Sequence, residues 1–144
     1  MATERRAEVT WSGDLLEGKG TIESVGSGAF GPLPVTWKAR AEEQGADTSP
    51  EELIAAAHAA CFSMALSGGL AREGHPPEAL STTATVTFVP GTGITKSVLD
   101  VEGDVPGMDE GAFRRAAEAA KENCPVSQAL KGNVELELTA RLAG

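Results

Sequence analysis

The sequence predicts an α+β fold built on antiparallel sheet. Three observations carry this expectation. Segments with a period of two and segments with a helical period follow one another in the order βββ-α-ββ-α-α-β, without the regular βα repetition of a doubly wound parallel sheet. The last segment, 134–142, alternates cleanly: Val134, Leu136, Leu138, Ala140 and Leu142 fall on one face, and Glu135, Glu137, Thr139 and Arg141 on the other. The run from Thr48 to Leu70, TSPEELIAAAHAACFSMALSGGL, is the longest helix-compatible stretch and carries almost no charge after Leu53. A helix apolar nearly all round packs on most of its faces, so this run is expected at the centre of the fold.

Residues 6–12 and 19–25 read as short strands joined through the DLLEG turn. A loop, SGAFGPLP, leads to a third expected strand over 34–42, with Val35, Trp37 and Ala39 on one face and Thr36, Lys38 and Arg40 on the other. The central helix opens with strong signals. Ser49 can cap it, Pro50 suits the first helical position, and Glu52 completes a capping box. It ends near Glu73, before the firm stop Gly74-His75-Pro76-Pro77. STTATVTFV, 81–89, is rich in β-branched residues, and Pro90-Gly91-Thr92-Gly93 is a turn. In 94–103, Val98 and Leu99 have opposite parity, which predicts a bulge or burial on both faces. A second helix opens at Met108 or Asp109 and runs through EGAFRRAAEAAKEN, with Phe113, Ala116, Ala117 and Ala120 at helical spacing. Cys124-Pro125 interrupts it, and PVSQALKG forms a short third helix ended by Gly132.

The bulk numbers limit the function classes. A chain of 144 residues with 41% hydrophobic content can bury a core in one domain, 1–144. A net charge of -9 disfavours nucleic acid and acidic lipid as partners, since phosphate binding needs a broad Lys and Arg patch. The N-terminal MATERRAEVTW lacks the apolar core of a signal peptide. The Leu53–Leu70 run is not expected to span a membrane, because His58 interrupts it, Gly68-Gly69 breaks it and a capping motif opens it. A cytoplasmic location follows, in which two cysteines are free thiols or a catalytic pair rather than a structural disulfide.

Four residues are candidates for chemistry, and each has a plain structural role beside it. Cys61 lies in mid-helix among alanines, where a small buried thiol is equally at home. Cys124 precedes Pro125 at a helix start, where unpaired N–H groups favour a thiolate, so local physics ranks it the better activated thiol. Arg40 reads as a strand-end surface charge, and Glu51 as a first-turn carboxylate that suits the helix dipole. His58 lies three residues before Cys61 on the same helix face, and its favoured role is a hydrogen-bonded core histidine. A zinc site of His58, Cys61 and Cys124 lacks an evident fourth ligand, and no metal or cofactor is expected. His75 sits in a stop loop and carries no signal.

Together, TSPEELIAAAHAACFSMALS and CPVSQALK resemble the OsmC/Ohr superfamily of thiol-dependent hydroperoxide reductases, and most closely its OsmC (osmotically inducible protein C) branch. WSGDLLEGKGTI and ITKSVLDVEGDVPGMD fit the same pattern, so the resemblance spans essentially the whole chain. It implies antiparallel β-sheets wrapped around two central helices in an intertwined homodimer with sites at the interface. Cys61 matches the peroxidatic cysteine, Cys124 the resolving cysteine, Glu51 the acidic partner and Arg40 the arginine that contacts the thiolate, with Arg5–Arg6 as an outside alternative. The resemblance thereby reverses the local ranking of the two thiols. It also implies reduction of organic hydroperoxides, less well hydrogen peroxide, through a sulfenic acid and a Cys61–Cys124 disulfide reduced by an external dithiol, possibly dihydrolipoyl. The rival readings are a redox sensor using the same disulfide and a small-ligand-binding protein with inert thiols.

One expectation comes from helix geometry. Glu51 and Cys61 are ten residues apart on one helix, roughly 15 Å along its axis. Both cannot touch one arginine on an unbroken helix, so Glu51 is expected to reach the arginine from a second chain, in a two-fold dimer with two composite sites.

Overall fold

The computed structural model describes residues 1–43 and 45–143. Its elements are β1 (Ala7–Ser12), β2 (Lys19–Val25), β3 (Leu33–Val35), α1 (Trp37–Ala41), α2 (Pro50–Arg72), β4 (Ala79–Val89), β5 (Gly93–Asp104), α3 (Glu110–Asn123), α4 (Pro125–Leu130) and β6 (Glu135–Leu142). The chain divides into two compact units, Met1–Leu53 and Ile54–Gly144.

In the first unit β1, β2 and β3 form an antiparallel sheet in that order. Every residue of β1 is exposed, including Val9 and Trp11, and Ile22 is the one buried apolar side chain of this unit among the described residues. The expected strand over 34–42 is corrected here. It ends at Val35, and Trp37–Ala41 is a helical turn, so Arg40 lies on α1. Thr36 takes extended geometry and its hydroxyl accepts from the Ala39 N–H, capping a run of good helix formers. Five residues of alternation were too few to distinguish the two periods.

The start of α2 forms as its sequence directs. The Ser49 hydroxyl accepts the Glu52 N–H at 3.1 Å, and the Glu52 carboxylate accepts from the Thr48 hydroxyl at 2.7 Å. The expectation that α2 is buried on most faces is not met within one chain. From Ile54 onward its buried side chains form a single stripe, His58, Phe62, Leu66 and Leu70, at four-residue spacing. Ala56, Ala57, Ala60 and Met64 are exposed. By length and composition α2 would suffice to cross a membrane, although its buried stripe packs into a protein core.

The second unit is a three-stranded sheet, β4-β5-β6, with β4 and β5 antiparallel. The β5–β6 pairing is parallel, which corrects the expectation of purely antiparallel sheets. The connection from β5 runs through α3 and α4 before β6, and such a crossover returns the chain in the same direction. Periodicity marks a strand but carries no pairing direction. At Val98 and Leu99, where a bulge or burial on both faces was expected, the register is regular, with Leu99 buried and Val98 partly so; the shift in β5 lies earlier, where Thr87 pairs with Lys96 and Phe88 with Ile94, leaving Thr95 extra.

The core gathers Phe62, Leu66 and Leu70 of α2, Leu99 and Val101 of β5, Phe113, Ala117 and Ala120 of α3, Cys124, and Ala140 of β6. Gly103 is needed in β5, since a Cβ there would stand 2.6 Å from the Phe113 ring. Asp109 caps α3, its carboxylate accepting the Ala112 N–H at 2.8 Å. Cys124 is thus anchored in the core at the junction where α3 ends and α4 begins.

Candidate active site

The four candidate residues form two pairs, one in each unit. In the first, the Arg40 Nε lies 3.1 Å from both Glu51 carboxylate oxygens and its Nη2 lies 3.0 Å from Oε2. Glu51 is nearly buried and Arg40 about one-third exposed, so the fork grips the carboxylate in a partly dry setting. This corrects the expected source of the carboxylate: Arg40 is held by Glu51 of its own chain. The helix arithmetic considered only Glu51 and Cys61, and it placed Arg40 on a strand. With Arg40 on α1 the return to α2 is short, and an arginine eleven residues upstream meets the helix start directly. The alternative arginines lie elsewhere, exposed at the N-terminus, with Arg5 donating to the neighbouring Glu4 carbonyl.

The second pair is Cys61 and Cys124, both free thiols. Cys61 is half-buried and Cys124 fully buried. Cys61 packs against the core cluster that contains Cys124, and the two thiols are neighbours. Burial pushes the Cys61 thiol up, a hydrogen bond from the Val126 backbone N–H pulls it down, and the neighbouring Cys124 adds to the rise. The donor of that bond is a finding that side-chain reading missed. The first N–H groups of a helix have no partner within it, and the backbone at Val126 in the first turn of α4 is what pulls the Cys61 thiol down. The N–H of Cys124 itself is spent on the Ala120 carbonyl at 2.9 Å, closing α3. The local ranking of the thiols is not reversed by this arrangement, in which Cys61 is on balance pushed up.

His58 is the hydrogen-bonded core histidine expected. Its Nδ1 lies 2.7 Å from the Ser97 Oγ on β5, and its Nε2 lies 2.8 Å from the Ser127 Oγ on α4. Both ring nitrogens are engaged by serines, so the ring does not offer itself to a metal with the cysteines. Among the described residues no group of three or more His, Cys, Asp or Glu side chains could hold a metal ion. Burial lowers His58 from its ordinary 6.5. As pH falls below 6.5, the unfolded chain takes up this proton before the folded one, so the stability present above 6.5 drains away toward acid. Thermal unfolding between about pH 7.5 and 5.5 is expected to show Tm falling toward acid, less steeply in His58→Gln. Equal slopes would show that His58 does not carry the effect.

Known proteins similar to this chain define its family. The family described as OsmC-like protein matches residues 43–139. Peroxiredoxin OsmC of Escherichia coli (strain K12) is 44% identical over 141 residues, covering 95% of this chain and 96% of that protein. The organic hydroperoxide resistance protein of Xanthomonas axonopodis pv. citri (strain 306) is 33% identical over 96 residues, 66% of this chain and 68% of that one. The fold matches the crystal structure of an organic hydroperoxide resistance protein from Elizabethkingia anophelis with a TM-score of 0.73 at 24% identity, covering 99% of this chain and 100% of that one. The chain belongs to the OsmC-like protein family. The resemblance read from its two cysteine motifs is thereby met, and the higher identity on the OsmC side agrees with the branch assigned.

Proposed function

We propose that this protein is a thiol-dependent peroxidase that reduces organic hydroperoxides in stress defence. The carrying observation is that a half-buried Cys61 neighbours a fully buried Cys124 in one core cluster. Family membership supports the same reading, since relatives carry the names peroxiredoxin and organic hydroperoxide resistance protein.

In this reading the Cys61 thiolate attacks the outer oxygen of the O–O bond. The bond breaks, the alkoxide leaves and takes a proton as alcohol, and Cys61 becomes a sulfenic acid. The Cys124 sulfur then displaces the sulfenic oxygen, which departs with a proton as water, and a Cys61–Cys124 disulfide remains. An external dithiol, with dihydrolipoyl groups one candidate, gives up two electrons and two protons and restores both thiols. Because burial and Cys124 both push Cys61 up, its thiolate needs a cation, and Arg40 braced by Glu51 is the one assigned. Cys61 has Ala57 and Met64 exposed at helical spacing on either side, an apolar flank that favours an alkyl group over bare hydrogen peroxide.

A two-fold homodimer completes the reading. The exposed alanines and Met64 of α2 and the wholly exposed β1 are apolar surface that a second copy would cover. With Glu51 and Cys61 roughly 15 Å apart along α2, the Arg40–Glu51 pair of one chain would serve Cys61 of the other. Free thiols suit a reducing compartment such as the cytoplasm. Purified protein supplied with dithiothreitol is expected to consume cumene hydroperoxide catalytically, and faster than hydrogen peroxide at equal concentration. The opposite order would end the organic preference, and a single stoichiometric oxidation would end the enzyme reading.

A further inference from the structure

His58 stands outside the set of reacting groups, yet its geometry ties it to them. His58 and Cys61 are three residues apart on α2 and so share a face. That face meets the first turn of α4. His58 Nε2 lies 2.8 Å from the Ser127 hydroxyl, and in the same turn the Gln128 N–H donates at 3.0 Å to the carbonyl of Cys124, a member of the core cluster that Cys61 packs against. The other side of the ring is braced by Ser97, a fully buried hydroxyl on β5 at 2.7 Å. His58 is itself fully buried and Ser127 nearly so, so neither bond competes with water.

From this we infer that His58 is a positioning residue: through Ser127 it holds the first turn of α4 in register, so that Cys124 at the start of that turn stays placed beside Cys61. The imidazole never meets the substrate. Its role is to convert the rigidity of β5 into the placement of Cys124 and the backbone that follows it. The carboxamide of asparagine reaches where Nδ1 lies, and that of glutamine reaches where Nε2 lies. The two substitutions therefore separate the Ser97 side of the ring from the Ser127 side.

The inference rests on the reading of Cys61 as the reacting thiol, but its test needs no peroxide. The rate of Cys61 alkylation by iodoacetamide is followed against pH, with peptide mapping to separate it from Cys124, the titratable neighbour that acts on it. Displacing the backbone at Val126, which pulls the thiol down, raises it, so Ser127→Ala and His58→Asn are expected to slow alkylation at pH 7 about five-fold and to converge on wild type at high pH. His58→Gln, which keeps the reach to Ser127, is expected to stay within about two-fold of wild type. Ser63→Ala is the control: it removes a different serine link of α2, the 2.7 Å bond to Thr82, and should leave the profile unmoved. A Ser127→Ala profile identical to wild type would overturn the inference, as would matching profiles for His58→Asn and His58→Gln. If His58→Asn does not fold, Ser127→Ala alone decides. A wild type that consumes no hydroperoxide would end the peroxidase reading while leaving these profiles fully interpretable.

Discussion

Cys61→Ser is expected to abolish peroxide turnover, by at least about a thousand-fold, since Cys61 is the thiol assigned to take the oxygen in each cycle. A serine hydroxyl in the same place has neither the acidity nor the polarisability of a thiol. Cys124→Ser is expected to behave differently: it should be oxidised once by cumene hydroperoxide and then turn over poorly, because the sulfenic acid has no adjacent thiol to condense with. Mass spectrometry after a single equivalent of peroxide separates the two, showing one added oxygen on Cys61 in Cys124→Ser and none in Cys61→Ser. A Cys124→Ser protein cycling at the wild-type rate would remove the buried thiol from the reaction.

The second large effect is expected at Arg40. Arg40→Ala leaves the Glu51 carboxylate nearly buried without its fork. Removing one partner of a buried ion pair is costly because the other charge stays behind. With Arg40 about one-third exposed, the loss should sit at the lower end, about 2 kcal/mol. Urea unfolding measures this. Glu51→Gln in the Arg40→Ala background should recover part of the loss, since the stranded charge is gone. Peroxide turnover should fall in Arg40→Ala and remain low in the double variant, because stability returns without the cation. Arg40→Lys should fall between, a point charge lacking the guanidinium geometry. Unchanged turnover in Arg40→Ala would free Cys61 from any dependence on this arginine.

The particular residues show what the sequence made legible and what it did not. The two cysteines could be paired from their motifs, and the structure brings them together. The start of α2 was readable to the residue, because Ser49, Pro50 and Glu52 act through local geometry. Arg40 was identified as a residue but misplaced as an element: alternation over a few positions outweighed Thr36, whose hydroxyl caps α1. The helix arithmetic between Glu51 and Cys61, which left the position of Arg40 out, sent its partner Glu51 to a second chain. The parallel direction of β6 was missed although both helices of the crossover were legible, since no residue type marks which strand β6 would pair with. The partners of His58 lie 39 and 69 residues away, beyond any local pattern. Val126 was passed over because its contribution is a backbone N–H and its side chain reads as ordinary filler.

Pro125 gives that last point a further meaning. Its ring leaves no N–H at the first position of α4, and the N–H of Cys124 is already spent on Ala120. Val126 is therefore the first residue of α4 with a hydrogen to give. Any other residue at 125 would present a rival donor one position earlier. The proline works by subtraction: it removes one donor from the turn that follows Cys124.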